Sequence, residues 1–485
     1  MIIISQMATM ISRSFLFGRY ERKVVKNVLQ FNYCRNSTKL PRFIRTSTSL
    51  SNTSINNETP ESDVVSDEIP KNTSKKSIES PLLKQLQAII RFNGPLTLHN
   101  YMKEVLINPV SGYYMSNDMF GPEGDYITSP EISQMFGEMV AIWIYNEWYK
   151  MGSPKPFQLL EFGPGRGTLM KDILRVLQKL GLKESDMTVQ MVEMSLHLIE
   201  IQESNLCDPD AKYECDESVD GYYKHSSTKY GGHNIYWHRN ICTVPKEFTF
   251  YLAHEFFDAL PIHKLIHTEE GWKELLVDLD DSDDGPHHLR YVISRHGTPA
   301  AKVYIHSSEI RKELEVCPEA GVVMNDLARR IEENGGAALI MDYGHNGTET
   351  DTFRGFRNHK QQNPLQEPGT ADLTADVDFS YLRQQTEDHC VSFGPVSQAF
   401  FLKNIGIELR LQNLLKTSSH EQQRNLLSGY KMITSPEQMG ERFKFMAIFP
   451  AVMKEFLTKF PPAGFHRNIS TDEEDKVIMN RHKDN

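Results

Sequence analysis

The chain has 485 residues, 39% of them hydrophobic, and a formal net charge of -11 at pH 7. That length suits one large elaborated domain or two ordinary ones. An acidic chain without a clustered basic face lacks a nucleic-acid footprint, and no apolar run approaches the roughly 18 residues of a spanning helix. Six scattered cysteines (Cys34, Cys207, Cys215, Cys242, Cys317, Cys390) include no pair at the two-residue spacing of zinc or redox sites. They fit free thiols in a reducing compartment better than a disulfide framework.

The charge is unevenly spread. Residues 1–50 hold nine Lys or Arg and one acid, Glu21, which leaves -19 on the remainder. Arg, Ser and Thr set among short amphipathic pieces such as Ile11–Phe17 make this arm read as a mitochondrial presequence, with removal near residues 40–50 and the matrix as destination. A secretory signal would need a longer apolar core. Residues 51–79 are rich in Ser, Asn, Thr and Glu and read as a flexible linker.

Folded structure is expected from Ser80-Pro81, a cap followed by Pro at the first helical position. Leu82, Leu83, Leu86, Ile89 and Ile90 share one helical face; Asn93-Gly94-Pro95 ends that helix, and Leu98, Tyr101, Met102 and Val105 begin another. A third helix is expected from Ser129-Pro130-Glu131, with a core stripe from Ile132 to Trp143. Residues 80–150 thus read as an N-terminal helical extension. From 157 onward, strands (157–161, 188–193, 234–238, 248–254, 337–342) alternate with helices (about 168–180 and 322–334). That pattern implies an α/β domain over 151–455, with a mostly parallel sheet covered on both faces. Short strand-like pieces over 264–305 read as an insertion after the fourth strand, and 456–485 as a C-terminal tail.

The most informative stretch is Phe157-Gln158-Leu159-Leu160-Glu161, a buried strand that runs into Gly163-x-Gly165-x-Gly167 and then a helix. Glycines there permit a sharp turn and close approach of a ligand to the backbone. A dinucleotide fingerprint would place its third glycine one residue later. The earlier glycine, with an acid ending the strand, suits a cofactor without phosphate: Glu161 for an ammonium, backbone N–H groups for a carboxylate. Glu193, ending the second strand 32 positions on, is placed for the hydroxyls of a ribose. These features point to S-adenosylmethionine.

At the end of the fourth strand stands Glu255-Phe256-Phe257-Asp258-Ala259-Leu260-Pro261, two carboxylates and two aromatics able to hold a cationic group. With this stretch and the Glu161–Gly167 loop, several strings are similar to the MidA family of mitochondrial methyltransferases over roughly residues 80–455. They are Gly124-Asp125-Tyr126-Ile127-Thr128-Ser129-Pro130-Glu131-Ile132-Ser133, Asp342-Tyr343-Gly344-His345, Thr352–Arg357, Gly369–Thr374 and Met439–Phe443. The resemblance implies a seven-strand, Rossmann-like methyltransferase fold and S-adenosylmethionine as donor. It also implies symmetric dimethylation of an arginine on a subunit of the respiratory NADH dehydrogenase complex during its assembly. One position departs from it: His254 stands where the family usually has Asn.

Arginine is a poor nucleophile because its charge is delocalised. A carboxylate gripping two guanidinium nitrogens would localise that charge and free the third; Glu255 is assigned this role, with Asp258 second. No metal is expected. His263 and His267 lie four apart in a stretch that reads as extended, so they are not expected to share a face. Arg354, Arg357, His359 and Lys360 read either as a guide for an acidic partner segment or as a solvated loop. Among Asp372, Asp376 and Asp378, one is expected to cap the helix that follows. Two rival functions stand against this reading. A nicotinamide oxidoreductase would need the later third glycine, and a non-catalytic assembly chaperone would keep the fold without turnover.

Overall fold

The computed structural model describes residues 79–116, 127–215, 224–280, 282, 287–305 and 309–466. The basic arm, the linker up to residue 78, Gly124–Tyr126 and the tail beyond 466 lie outside the described residues.

Five apolar runs form the strands β1 (Phe157–Phe162), β2 (Met187–Val192), β3 (Asn234–His238), β4 (Thr249–His254) and β5 (Gly336–His345). Every residue of β1 and β4 is buried, as strands covered on both faces must be. Two later strands, β6 (Cys390–Ser397) and β7 (Phe443–Pro450), give the central order β3-β2-β1-β4-β5-β7-β6, which the short strands Lys224–Ser227 and Glu214–Cys215 extend beyond β3 and Val377–Asp378 joins beside β5. The pairs β1–β2, β1–β4, β2–β3 and β4–β5 are parallel, whereas β7 is antiparallel to both β5 and β6. This is the α/β seven-strand methyltransferase order. The chain leaves β1 to build β2 and β3 on one side, then returns to build β4 and β5 on the other. The crevice past the carboxyl ends of β1 and β4 is therefore the switch point at which open α/β sheets bind ligands.

Alternate residues of the strands feed two cores. Leu159, Val189, Phe250 and Leu252 face helices α1 (Gln134–Lys150) and α2 (Thr168–Lys179), where Leu169, Met170, Ile173, Leu174 and Leu177 make the buried stripe. Leu160, Phe162, Tyr251 and Ala253 face the other way. There they meet α4 (Pro318–Asn334) through Met324, Leu327, Ala328 and Ile331. A further helix, α3 (Leu196–Leu206), lies between β2 and β3 in the chain.

The helix expected to start at Ser129 is broken. Ser129–Ile132 forms a single turn, Ser133 is extended (φ -153°, ψ 123°), and α1 begins at Gln134 with the Ser133 side chain accepting from Met135 N. Apolar periodicity continues through the break because both pieces pack on the core, so the pattern alone hides it.

A second, smaller sheet is made by His263–Thr268, Gly271–Leu279, Leu289–Ile293 and Glu313–Val316, joined by Leu96–Thr97. Its strands thus reach from 263 to 316. The helices Pro81–Asn93 and Leu98–Ile107 share its core, with Leu82, Leu86, Tyr101 and Met102 clustered with Val277 and Leu289. These first two helices and the segment after β4 therefore build one unit, whereas α1 belongs to the large sheet.

Candidate functional site

All three glycines of the loop after β1 have positive φ: Gly163 at +54°, Gly165 at +53° and Gly167 at +75°. Side chains rarely adopt that region, so the loop's path requires glycine at each point. A Cβ on Gly163 would meet the Phe256 ring at 3.1 Å, and one on Gly167 would meet Leu206 at 3.2 Å. Glu161, at the end of β1, is 2% exposed; burial pushes its carboxyl up to about 8, and Oε2 has no hydrogen-bond partner.

Glu193 follows β2. Its Oε1 accepts the main-chain N–H groups of Met194 and Ser195 at 2.8 Å, and burial, partly offset by these bonds, raises the carboxyl to about 7. The loop and this acid are tied together by a residue that the sequence reading missed. Gln202 on α3, fully buried, donates to Gly165 O (2.8 Å) and to Glu193 Oε2 (3.2 Å) and accepts from Trp237 Nε1 on β3 (2.9 Å). Asn205, one turn on, donates to Arg166 O at 2.9 Å. Polar residues on the inner face of an otherwise amphipathic helix were the available signal.

The second group of residues stands at the ends of β4 and β5. Glu255 has φ +48°, unusual for a side-chain-bearing residue and worth roughly 1–3 kcal/mol of strain. Two features hold it there. Its N–H donates to Met341 O at 2.9 Å, and the next three N–H groups, of Phe256, Phe257 and Asp258, converge on Asp342 Oδ2 at 3.1–3.4 Å. Asp342 is thus the anchor of the turn that presents both acids. Glu255 Oε1 and Asp258 Oδ1 are buried without hydrogen-bond partners. Burial, then Asp258 and Asp372, hold the Glu255 carboxyl well above its ordinary range against one N–H from Ser129. Asp258 is raised to about 6, chiefly by burial, while the Tyr343 hydroxyl that donates to its Oδ2 pulls the other way.

The two groups meet. Phe256 packs on Phe162 (ring centroids 5.2 Å apart) and over Gly163, and the turn Ser129–Ile132 touches both sides. Ser129 donates to Glu255, while Glu131 accepts from the Thr168 hydroxyl at the start of α2. The break before α1 therefore frees a turn that links the glycine loop to the acids. All seven residues singled out from the sequence (Glu161, Gly163, Gly165, Gly167, Glu193, Glu255 and Asp258) lie at the carboxyl edge of the large sheet.

Other expectations change. Phe257 is buried in the core beneath α4 and Phe256 covers the glycine loop, so the two rings do not flank the acids as a cage. His254 is 7% exposed and packs on Phe136; burial drives its pKa down to about 3, so its Nε2, 3.4 Å from Glu255 Oε1, belongs to a neutral imidazole. A neutral imidazole makes no ion pair with Glu255, and the two atoms share no hydrogen bond. Arg354 and Arg357 are paired internally, with Asp376 and Glu367. As expected of one of the three acids, Asp378 caps the helix Phe379–Gln384. His263 and His267 do share a face, because side chains four apart on a strand point the same way, but they lie about 13 Å apart along it. Among the described residues no group of three or more His, Cys, Asp or Glu could hold a metal ion.

A family model described as "Putative S-adenosyl-L-methionine-dependent methyltransferase" matches residues 139–396, from α1 to β6. The chain belongs to this methyltransferase family. Its relatives include the mitochondrial protein arginine methyltransferase NDUFAF7 of Bos taurus, 51% identical over 76% of this chain and 84% of that protein. The Drosophila melanogaster homolog is 48% identical over 82% and 92% respectively. A crystal structure of a methyl transferase candidate from Burkholderia thailandensis bound to S-adenosyl-homocysteine shares the fold. Its TM-score is 0.60 at 22% identity, covering 77% of this chain and 95% of that one. The cofactor of the family is S-adenosylmethionine, and the residues here suit it: a buried, unpartnered carboxyl oxygen on Glu161, three left-handed glycines and a second buried acid, Glu193.

Proposed function

We propose that this protein is a mitochondrial protein arginine methyltransferase that acts in the matrix, using S-adenosylmethionine to dimethylate symmetrically an arginine on a subunit of the respiratory NADH dehydrogenase complex. The observation that carries the reading is the pair of buried, unpartnered carboxyl oxygens on Glu255 and Asp258 beside the glycine loop. An uncompensated buried carboxyl is costly unless a cation reaches it. A guanidinium supplies two parallel N–H donors to such a group.

In this reading Glu161 holds the cofactor's ammonium, Gly163, Gly165 and Gly167 let its carboxylate approach main-chain N–H groups, and Glu193 takes the ribose. When bound, the cofactor supplies an activated methyl on sulfur. The chain's own part is alignment and exclusion of water. Glu255 grips two guanidinium nitrogens and localises the charge, so that the third nitrogen can attack. The names of the NDUFAF7 relatives support arginine as acceptor and the mitochondrion as location. The family resemblance points to the complex and the symmetry, and the basic arm of residues 1–50 to the matrix.

The test is methyl transfer from labelled S-adenosylmethionine to subunits of that complex, with the label located by mass spectrometry. Symmetrically dimethylated arginine is expected. Label on lysine, on a carboxylate or on small molecules alone would refute the acceptor assignment.

A further inference from the structure

Methylating a guanidinium requires disposal of a proton. The nitrogen–methyl bond forms as the methyl–sulfur bond breaks, with its electron pair left on sulfur. One N–H proton must depart if the product is to remain a monocation. Resting on the arginine-methyltransferase reading above, we propose that Asp258 takes this proton at Oδ1 and that Tyr343 is a positioning residue that keeps Asp258 fit to do so. The Tyr343 hydroxyl donates to Oδ2, and Oδ1 is buried with no partner of its own.

The surroundings fit this division of labour. Tyr343, at the end of β5, is itself buried, and its hydroxyl is held well above its ordinary range by burial and by Asp258 and Asp342, so it stays the donor. Its ring lies 5.3 Å from the guanidinium of Arg354 and 5.4 Å from that of Arg442, and both arginines reach Asp376. The groups facing Asp258 are therefore Tyr343 and Asp342 from β5, Glu255 on its own turn, Arg354 from the strand Arg354–Arg357, Asp376 from the loop after Thr374, and the N–H of Ala259. Tyr343, Arg354 and Ala259 favour the carboxylate; Asp376 and the other acids oppose it. Glu255, at the start of that turn and tied towards the glycine loop through Phe256 and Ser129, is left to grip the acceptor.

The test is the pH profile of kcat for an arginine peptide, with peptide and S-adenosylmethionine both saturating, in wild type and in Tyr343→Phe. Saturation keeps Glu255 paired with the guanidinium, so the remaining acid limb belongs to the proton acceptor. Losing the hydroxyl should move that limb upward by about one to two pH units. The variant would then be about ten-fold slower or more on the acid side and would approach the wild-type rate on the alkaline plateau. Asp258→Asn should lose transfer across the whole range. An equal loss at every pH in Tyr343→Phe, or an unmoved limb, overturns the proposal by reducing Tyr343 to a packing role. If Tyr343→Phe does not fold, Arg354→Gln removes a second group that favours the carboxylate and should shift the limb the same way; no shift there overturns it equally. Absence of any arginine methylation by wild type would instead overturn the underlying reading.

Discussion

If Glu161 holds the cofactor's ammonium, binding must release a proton. Burial raises the Glu161 carboxyl to about 8, so at pH 6.5 it is about 97% protonated before the cofactor arrives. The free amino group of the cofactor is almost wholly charged at that pH. Forming the pair then expels about one proton, and ionising the acid subtracts about 2 kcal/mol from the intrinsic affinity. Well below pH 8 affinity should rise close to tenfold per pH unit; it should peak near pH 8 and fall above it, where the cofactor's own amino group loses its proton. Calorimetric titration in two buffers of different ionisation enthalpy counts the proton directly. In Glu161→Gln the release should fall by about 0.9 proton and the pH slope should vanish. A binding enthalpy independent of buffer in wild type would refute the reasoning, since it would mean that Glu161 is already ionised or meets no cation. The same shift has a stability consequence. From pH ~4.5 to 8 the folded apo protein keeps a proton that the unfolded chain has lost, so stability falls as pH rises, by up to roughly 1.4 kcal/mol per pH unit for this group. Glu193, raised to about 7, adds to the loss in the lower part of that window. Melting temperature against pH should therefore decline across it, and less steeply with cofactor bound.

Glu255→Gln should keep S-adenosylmethionine affinity within a few-fold and lower methyl transfer by about 10²–10⁴; normal turnover in the folded variant would remove Glu255 from the mechanism. Gly165→Val places a β-branched residue at φ +53° in the cofactor loop, so binding measured by calorimetry should be lost while the far-ultraviolet spectrum is kept. Gln202→Leu removes the donors to Gly165 and Glu193 and strands Trp237 Nε1; thermal or denaturant unfolding should show a loss of about 1–3 kcal/mol, together with weaker cofactor binding. Residues 1–50 fused to a reporter should direct it to the matrix, and replacing Arg13, Arg19 and Arg22 with Glu should weaken import; uniform cytosolic signal from the intact fusion would exclude a presequence.

The parts legible in the sequence are those governed by local pattern. The β1 and β4 strands could be read because a strand buried on both faces is a continuous apolar run, and the glycine loop because its left-handed backbone demands Gly163, Gly165 and Gly167 at fixed spacing. Less legible were features set by contacts far apart in the chain. The turn at Ser129–Ile132 departs from helix because it must reach Thr168 and Glu255, and no apolar spacing records such a demand. Gln202 reads as a polar residue on a helix until Trp237, 35 positions on, fills its acceptor. Asp342 was visible only as part of a family string. Its task of gathering three N–H groups from residues 84–86 positions earlier follows from β4 and β5 lying side by side. His254 could be seen as a departure but not weighed, since its protonation depends on how completely Phe136 and the sheet cover it.

These long-range contacts would also explain how the proposed site for two cations can exist before either arrives. A sulfonium and a guanidinium brought into contact in a medium of low dielectric repel strongly, so the protein must supply negative charge at the moment of reaction. Fixed buried carboxylates would destabilise the fold in their absence. Burial lets Glu161 and Glu255, the acids proposed to meet the two ligands' cations, hold their protons instead, with raised pKa values, while the Asp342 anchor and the Gln202 link keep their geometry. In the proposed mechanism each cation then ionises the acid it meets. An ammonium on a flexible stem offers a single point of contact, whereas a guanidinium offers two aligned donors. Because ionising a buried acid has a cost, the ligand that satisfies both oxygens is favoured over one that satisfies one. If Glu255 grips the acceptor as proposed, selectivity for arginine over lysine follows from the depth at which Glu255 is buried, and a peptide with lysine in place of the acceptor arginine should bind poorly to the cofactor-loaded enzyme even though its charge is the same.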